Sequence, residues 1–231
     1  MSTSIHSPRG AGRKILIFGA SIAGPILAYW LGRYGFSVTV VERAASVRSG
    51  GYPIDVRGSA LKVAERMGLR AQLAAAHIGS RDLRFVDAAG ATIGKVPVYD
   101  LTSNDLDHDV ELPRGTLTDL LYGLTRDGAI RYRFNDSIAS IAQDADGVSV
   151  HFKSGDQERF DVVIGADGLH SNVRRLVFGP EEAYSHYLGF TFNLFTVPND
   201  LGLEQEAVAY AEPGRIAGAS PCAISPTCSP S

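Results

Sequence analysis

The sequence contains little cysteine and no strong excess of charge. Of its 231 residues only two are cysteines, Cys222 and Cys228, both close to the end of the chain. Their spacing suggests neither a metal site nor a disulfide framework. The net charge is −3, which argues against nucleic acid or an anionic membrane as the main partner.

The sequence also lacks a long uninterrupted apolar run. Residues 15–31 come nearest to one, but Gly19, Ser21, Gly24 and Pro25 interrupt the stretch. A membrane-spanning helix needs about 20 consecutive apolar residues, and no polar cleavage region follows, as it would after a signal peptide. We therefore expect a cytoplasmic protein that does not enter a membrane.

Residues 14–43 instead have the pattern of a strand, a turn, a helix and a second strand. The apolar run at residues 15–18 is typical of a buried parallel strand. The turn at residues 19–24 reads GASIAG, a helix follows it, and the second strand at residues 36–41 ends at Glu42. This length is typical of a βαβ unit that binds a dinucleotide.

The turn residues have distinct mechanical roles in such a unit. Gly19 permits the tight turn out of the strand, and Gly24 lets the helix pack closely on the sheet. The helix N-terminus directs N–H groups at a pyrophosphate, although Ser21 replaces the usual middle glycine. Glu42, about 20 residues beyond the turn, can accept hydrogen bonds from a ribose and would repel a 2′-phosphate. The alternative is an ordinary βαβ unit with glycines at its turn.

The next part of the chain predicts short helices and a hairpin. Residues 53–56 are expected to be extended, and residues 58–76 to form two helices. Residues 83–98 have the pattern of a hairpin whose second strand lies at a sheet edge because it contains Pro97. Residues 101–109 are acidic and irregular, which favours a solvated loop over a metal cluster.

Beyond residue 109 the pattern is rich in strands. Residues 110–113 lead into a helix that is expected to start near Thr116. The segment at residues 161–165 has the composition of a second buried parallel strand. The predicted strands are residues 130–134, 138–143, 148–152, 157–160, 161–165, 184–197 and 206–210.

Three features occur together in an order that resembles a known family. They are the N-terminal unit ending in Glu42-Arg43, Arg114 ahead of a leucine-striped helix, and the sequence GADGLHSNVRR at residues 165–175. Together they resemble the class A FAD-dependent monooxygenases, the aromatic hydroxylase family that includes para-hydroxybenzoate hydroxylase and the tetracycline-inactivating monooxygenases. The resemblance covers residues 14–218.

The resemblance implies roles for residues of the N-terminal unit. Gly19, Ser21 and Gly24 would hold the pyrophosphate of FAD. Glu42 would bind the adenosine ribose, and Arg43 would flank the adenine. These assignments are chemically reasonable because carboxylates pair well with hydroxyl donors.

The resemblance also implies contacts from residues farther along the chain. Asp55 would approach the flavin ring, Arg114 would contact FAD near the phosphates and the ribityl chain, and Asp167 would bind near the pyrophosphate and affect the nicotinamide cofactor. Alternatives remain open, since Arg114 can be a surface ion pair and Asp167 can cap the following helix. His170 is interpreted as structural.

The resemblance further implies a reaction. In this family NADH or NADPH reduces FAD, and the reduced flavin uses O₂ to insert one oxygen atom into an aromatic or polyketide-like small molecule. The cofactor carries this chemistry, so no catalytic side chain and no metal ligand is assigned. The alternatives are a non-catalytic, truncated remnant that binds FAD weakly or not at all, and an NAD-dependent dehydrogenase. The β-rich insertion and the sequence GADGLHSNVRR at residues 165–175 argue against the dehydrogenase.

The implied fold is α/β, with a Rossmann-like FAD-binding domain that contains a parallel sheet and is interrupted by a mostly antiparallel substrate domain. The predicted parts are a disordered arm (residues 1–13), the FAD-binding domain (14–80 and 101–179), a partial substrate domain (81–100 and 180–218) and an aberrant or disordered tail (219–231).

The tail is the least typical part of the sequence. It reads ASPCAISPTCSPS and carries no charge, and the third signature of the family, a Gly-Asp pair before an Ala-rich turn, is missing. We therefore expect the C-terminal part of the fold to be missing. A frameshift would explain the composition, since codons chosen for these residues can be read two bases later as VAVRDFANLLAE. A natural disordered tail is the alternative, and the genomic DNA decides between them.

Overall fold

The computed structural model describes residues 12–48, 50–98 and 109–221. The predicted arm at residues 1–13 and the acidic loop at residues 101–109 lie almost entirely outside these ranges, as does most of the tail. Nothing in the structure therefore bears on those three predictions.

Contacts divide the described residues into two compact units. The first unit contains residues 12–48 and 118–191, and the second contains residues 50–98, 109–117 and 192–221. The domain boundaries predicted above follow a different grouping and stay a prediction.

Within the described residues the chain forms five α-helices and thirteen strands. The helices are α1 (Ala23–Arg33), α2 (Gly58–Arg66), α3 (Arg70–Ala75), α4 (Arg114–Thr125) and α5 (Asn172–Phe178). The strands are β1 (Lys14–Phe18), β2 (Ser37–Val41), β3 (Pro53–Val56), β4 (Asp82–Val86), β5 (Thr92–Pro97), β6 (Val110–Pro113), β7 (Arg131–Arg133), β8 (Ile138–Asp144), β9 (Gly147–Phe152), β10 (Gln157–Phe160), β11 (Val162–Gly165), β12 (Glu206–Glu212) and β13 (Arg215–Ala219). None of these helices combines the length and the apolar character that crossing a membrane requires.

The first unit is built on a parallel sheet with the strand order β11-β1-β2-β7. Ile15 and Ile17 of β1 belong to a core that includes Ala28 of α1. Leu16 and Phe18 belong to a second core on the opposite face. Because successive strand residues point to opposite faces, β1 serves two cores, which explains why its sequence is continuously apolar.

A three-stranded antiparallel sheet, ordered β10-β9-β8, supplies most of the second core. Val150, Phe152 and Phe160 are almost fully buried there, next to Val173 of α5. The parallel sheet therefore lies between α1 on one face and this antiparallel sheet on the other. The predicted α/β class, the parallel pairing of the strand after residue 160 and the series of antiparallel strands are confirmed.

A polar cluster connects the end of β7 to the turn between β9 and β10. The Asp136 carboxylate is 3% exposed and pairs with Arg133, which also pairs with Asp156. Asp136 accepts backbone N–H bonds from Ser137 at 2.8 Å and from Ser154 at 3.1 Å. Burial raises the pKa of Asp136, but these N–H donors and Arg133 lower it more, so the net pKa lies below its ordinary value of 3.8.

The second unit contains a four-stranded sheet and a two-stranded ribbon. The sheet has the order β13-β12-β4-β5, in which β12 runs parallel to β4 and the other neighbours are antiparallel. The predicted hairpin is thus β4 and β5, and the strand that contains Pro97 lies at an edge, as expected. The ribbon pairs β3 with β6.

One predicted strand is wrong. Residues 184–197 form no strand in the structure, and their large side chains are exposed, with Phe190 at 84%, Phe192 at 77% and Phe195 at 81%. An alternating sequence becomes a strand only where a neighbour supplies backbone hydrogen bonds. No described strand pairs with this segment, so its alternation of apolar and polar residues does not produce a strand.

The predicted start of the fourth helix is also wrong. The helix begins at Arg114 directly after Pro113, the last residue of β6. Because no residue separates β6 from α4, the chain passes from strand to helix without a loop. The Arg114 N–H donates to the carbonyl oxygen of Tyr52 at 3.3 Å. Thr116 therefore lies in the first turn of α4 and does not cap it.

Candidate cofactor site

The turn between β1 and α1 is so tightly packed that two of its positions require glycine. Gly19 has a φ of +114°, and a Cβ atom there would overlap the carbonyl oxygen of Ala166, which follows β11. A Cβ atom on Gly24 would overlap the carbonyl oxygen of Gly19. The Gly19 N–H also donates to the Val41 carbonyl oxygen at 2.8 Å. The turn is thus held against the carboxyl ends of two neighbouring strands.

Glu42 lies beside this turn and braces it. Its Oε2 accepts a hydrogen bond from the Ala20 N–H at 3.0 Å, and its Oε1 accepts one from the Ala44 N–H at 3.0 Å. The backbone of Glu42 is fixed as well, since its N–H donates to the Arg133 carbonyl oxygen at 2.9 Å. The acid that closes the second strand therefore meets the glycine turn, as the βαβ pattern predicts. Arg43 follows it and is exposed.

The N-terminus of α1 follows the turn directly. Its N-cap residue is Ile22, whose side chain makes no capping hydrogen bond, and no acidic residue lies in the first turn of the helix. The first N–H groups of a helix lack partners inside the helix and carry a partial positive charge. This end of α1 therefore has the character of an anion site. Ser21, in the turn itself, is half-buried.

Asp167 lies near the same edge, in the loop after β11, and caps α5. Its Oδ2 accepts from the N–H groups of Asn172 at 2.6 Å and Val173 at 3.1 Å, and its Oδ1 accepts from the Ser171 hydroxyl at 2.6 Å. The helix-capping alternative is therefore observed, and a role in cofactor binding stays a prediction. In the same loop the exposed His170 pairs with Glu181.

Asp55 and Arg114 belong to the second unit. Asp55 stands on β3 opposite Glu111 of β6, and its carboxylate pairs with Arg57 at 2.7 Å. Arg114 opens α4 with a half-buried side chain, whose Cβ and Cδ lie close to Gly51. The structure thus divides the predicted residues into two sets, and the first-unit set is Gly19, Ser21, Gly24, Glu42, Arg43 and Asp167.

Arg57 was not among the residues predicted from the sequence. Its signal is present in the sequence, because Asp55 and Arg57 are two positions apart on an extended segment and such residues share a face. The backbone N–H groups of Ala20 and Ala44, which donate to Glu42, were not predicted either. The identity of these two residues gives no signal for such a role. Among the described residues no group of three or more His, Cys, Asp or Glu side chains is placed to hold a metal ion.

Comparison with known proteins gives the family of the chain. Residues 13–198 match the family described as FAD binding domain. An uncharacterized protein of Mycobacterium tuberculosis is 48% identical over 193 residues, which cover 83% of this chain and 52% of that protein. A flavin-dependent monooxygenase of Legionella longbeachae is 41% identical over 190 residues, which cover 82% of this chain and 48% of that protein.

Solved structures agree with this match. The crystal structure of tetracycline destructase Tet(51) superposes with a TM-score of 0.74 at 33% identity, covering 92% of this chain and 54% of that chain. Tet(55) gives a TM-score of 0.69 at 38% identity, covering 86% and 49%. The chain spans about half the length of the curated relatives that it matches. The predicted resemblance is confirmed, and the chain belongs to the FAD binding domain family, which it shares with flavin-dependent monooxygenases.

Proposed function

We propose that the chain provides the FAD-binding part of an FAD-dependent monooxygenase. The reductant is NADH or NADPH, the oxidant is O₂, and the substrate is an aromatic or polyketide-like small molecule. One observation carries the proposal: Gly19, Gly24 and Glu42 meet at the carboxyl edge of a parallel sheet, where α1 begins. Ligands of open α/β sheets bind at this edge.

The site fits the adenosine and pyrophosphate part of FAD. The pyrophosphate would lie against the first N–H groups of α1, and the absence of side-chain atoms at Gly19 and Gly24 keeps the turn and the helix in close contact. An ionised carboxylate offers about four acceptor positions, and the Ala20 and Ala44 N–H groups use two of those on Glu42. The remaining two can accept ribose hydroxyls, while the charge of Glu42 disfavours a 2′-phosphate at that place.

The roles of the remaining predicted residues are those that the family resemblance implies. Arg43 would flank the adenine, Arg114 would pair with phosphate and ribityl oxygens, Asp55 would approach the flavin ring, and Asp167 would influence the pyrophosphate and the nicotinamide cofactor. When bound, FAD supplies the redox and oxygen-transfer chemistry. The chain itself binds and orients the cofactor and excludes water from it.

The comparisons support the cofactor class more directly than the substrate. Neighbours with 33% and 38% identity are tetracycline destructases by name, which supports a small organic substrate for this chain. The predicted cytoplasmic location stays a prediction that fractionation of the source cells would test.

A flavin titration tests the proposal first. The purified 231-residue chain is titrated with FAD while flavin fluorescence is followed, with NAD⁺ as the competing dinucleotide. We expect saturable quenching by the chain and no displacement by NAD⁺. A chain that leaves FAD fluorescence unchanged contradicts the proposal.

Turnover is a separate experiment, because the chain spans about half of its relatives. Oxidation of NADH and of NADPH is measured in air, with and without a panel of phenols and tetracyclines, and oxygen consumption is recorded in parallel. Reductant oxidation that requires FAD and is accelerated by one class of compound identifies the substrate class. Hydride transfer that proceeds without flavin favours a dehydrogenase instead.

A further inference from the structure

The ribbon of β3 and β6 in the second unit has one apolar and one charged face. Ile54 stands opposite Leu112, and Val56 stands opposite Val110. Leu112, Val56 and Val110 are buried. Because side chains alternate between the two faces of a strand, the intervening residues form the other face, where Asp55 stands opposite Glu111.

Two carboxylates that face each other across a strand pair repel. Arg57, which follows β3, forms an ion pair with one of these two carboxylates, that of Asp55. Its Nη2 lies 2.7 Å from Oδ2 of Asp55, and its Nε lies 3.6 Å from Oδ2 of Asp109, just before β6. The guanidinium therefore links the end of β3 to the start of β6.

The two carboxylates that pair with Arg57 differ in their exposure to solvent. The Asp55 side chain is 45% exposed, whereas the Asp109 side chain is 16% exposed. The Nε atom of Arg57 is fully buried and has no hydrogen-bond partner within the described residues. The guanidinium group is planar and holds its nitrogens in a rigid fork, so an ion pair through Nη2 limits the orientation of the Asp55 carboxylate. The Asp55 carboxylate is thus paired with an arginine whose side chain is 35% exposed and whose Nε atom is buried.

We propose that Arg57 is a positioning residue that orients the Asp55 carboxylate for contact with bound flavin. This inference rests on the proposed function, in which Asp55 approaches the flavin ring. Arg57 does not touch the flavin; it holds Asp55 in one orientation and offsets the repulsion from Glu111. Asp55 without Arg57 keeps its charge but loses its orientation.

A double-mutant cycle on the full chain tests this inference. FAD affinity is measured by fluorescence titration for wild type, Arg57→Gln, Asp55→Asn and the double variant, and urea midpoints are measured for the same four proteins. We expect Arg57→Gln and Asp55→Asn each to weaken FAD binding about tenfold, since a charged hydrogen bond contributes about that much. The double variant should bind FAD with an affinity no lower than that of the single variant that binds FAD more weakly. Arg57→Lys should recover part of the affinity, because it restores the charge without the fork.

Arg70→Gln is the matched control. Arg70 forms an ion pair with Glu65 in the same unit, with side-chain exposures of 44% and 42%, so this variant also removes one exposed arginine pair. We expect it to leave FAD affinity unchanged. If Arg70→Gln weakens FAD binding as much as Arg57→Gln does, the loss of affinity reflects the change in net charge and not the position of Arg57. The inference is then overturned.

The possible failures are distinguishable. Free energies that simply add in the double variant, or an Arg57→Gln variant that binds FAD like wild type while Asp55→Asn does not, overturn the positioning role and leave the proposed function standing. An Asp55→Asn variant that binds FAD normally also overturns it. If the wild-type chain binds no FAD, the proposed function fails, and a lack of coupling between Arg57 and Asp55 in the urea midpoints then overturns their pairing as well.

Discussion

At the residue scale, the turn after β1 depends on two hydrogen atoms that stand where other residues have a Cβ. Changing Gly24 to Ala places a methyl group on the carbonyl oxygen of Gly19, so the turn or the helix must shift. We expect Gly24→Ala to weaken FAD binding by more than about tenfold, in line with the cost of overpacking. Flavin fluorescence titration measures the change.

Gly123→Ala is the control for this prediction. Gly123 lies in α4, and a Cβ atom there would meet nothing within 4 Å. Alanine in an open helical position stabilises a helix by roughly 0.5–1 kcal/mol relative to glycine, so this variant should bind FAD normally and have a slightly higher urea midpoint. Equal FAD affinity in both variants would show that the close approach at Gly24 is unimportant.

The buried carboxylate of Asp136 gives a pH-dependent prediction. Its pKa is lowered in the folded state, so its contribution to stability is fully present above its ordinary value and is lost as the pH falls through the lowered value. Asp136→Asn leaves the partly buried Arg133 without this partner and should cost about 3 kcal/mol of unfolding free energy near neutral pH. The difference from wild type should shrink in urea titrations at about pH 3.

Asp144→Asn is the comparison for Asp136→Asn. The Asp144 carboxylate pairs with Arg159, and hydrogen bonds from that arginine lower the pKa of Asp144 to about 2. Both side chains are exposed, at 57% and 45%, so water and salt screen the pair. We expect a small effect on the urea midpoint despite the large pKa shift. A loss as large as that of Asp136→Asn would show that burial is not the deciding factor.

At the scale of the element, α5 is a short helix whose N-terminus is fixed by side chains. Ser171 accepts from the Arg174 N–H at 3.0 Å, and Asp167 takes the N–H groups of Asn172 and Val173. This loop and the start of α5 carry the sequence GADGLHSNVRR, so the residue that was predicted to contact the cofactor has a structural role as well. The two roles can be separated by choice of substitution.

Asp167→Ala removes both roles, whereas Asp167→Asn removes only the charge. We expect Asp167→Ala to lower the unfolding free energy by about 1 kcal/mol, the usual cost of losing a cap, and Asp167→Asn to keep most of that stability because asparagine also caps helices. If the charge acts on the cofactor, Asp167→Asn will change FAD affinity at nearly unchanged stability. An Asp167→Ala protein as stable as wild type would show that the cap is dispensable.

At the scale of the whole molecule, the sequence predicted elements well where local pattern and tertiary partners agree. Strand β1 is apolar on both faces because it contributes to two cores, and its continuous apolar sequence predicts a strand that is buried on both faces. The segment at residues 184–197 has an equally clear alternation but no strand beside it in the described chain, so the pattern alone misled. The start of α4 was missed because strand β6 passes into it with no loop to cap. The hydrogen bonds to Glu42 come from backbone N–H groups, which every residue type except proline supplies, so the sequence gives no sign of them.

The exposed segment has a consequence for the behaviour of the molecule in solution. Residues 187–197 contain no charged residue, and Phe190, Phe192 and Phe195 are largely exposed. Exposed apolar side chains that follow one another along a segment promote association. We expect Phe190→Ser combined with Phe195→Ser to reduce both the fluorescence of a hydrophobic dye and the light scattering of the purified chain at least about twofold.

Ile93→Ser provides the control for the exposed segment. Ile93 is 70% exposed but stands on β5, away in sequence from the aromatic run. We expect this variant to change neither dye fluorescence nor scattering. Equal reductions in both variants would mean that exposed apolar area in general, and not this segment, drives association.

The brace formed by Glu42 has a kinetic meaning for cofactor loading. Because the Glu42 carboxylate accepts hydrogen bonds from the Ala20 and Ala44 amides, the glycine turn and the end of β2 are held together by contacts within the chain itself. Reconstitution after the flavin is stripped should then be a single diffusive step, proportional in rate to FAD concentration and free of a slow refolding phase.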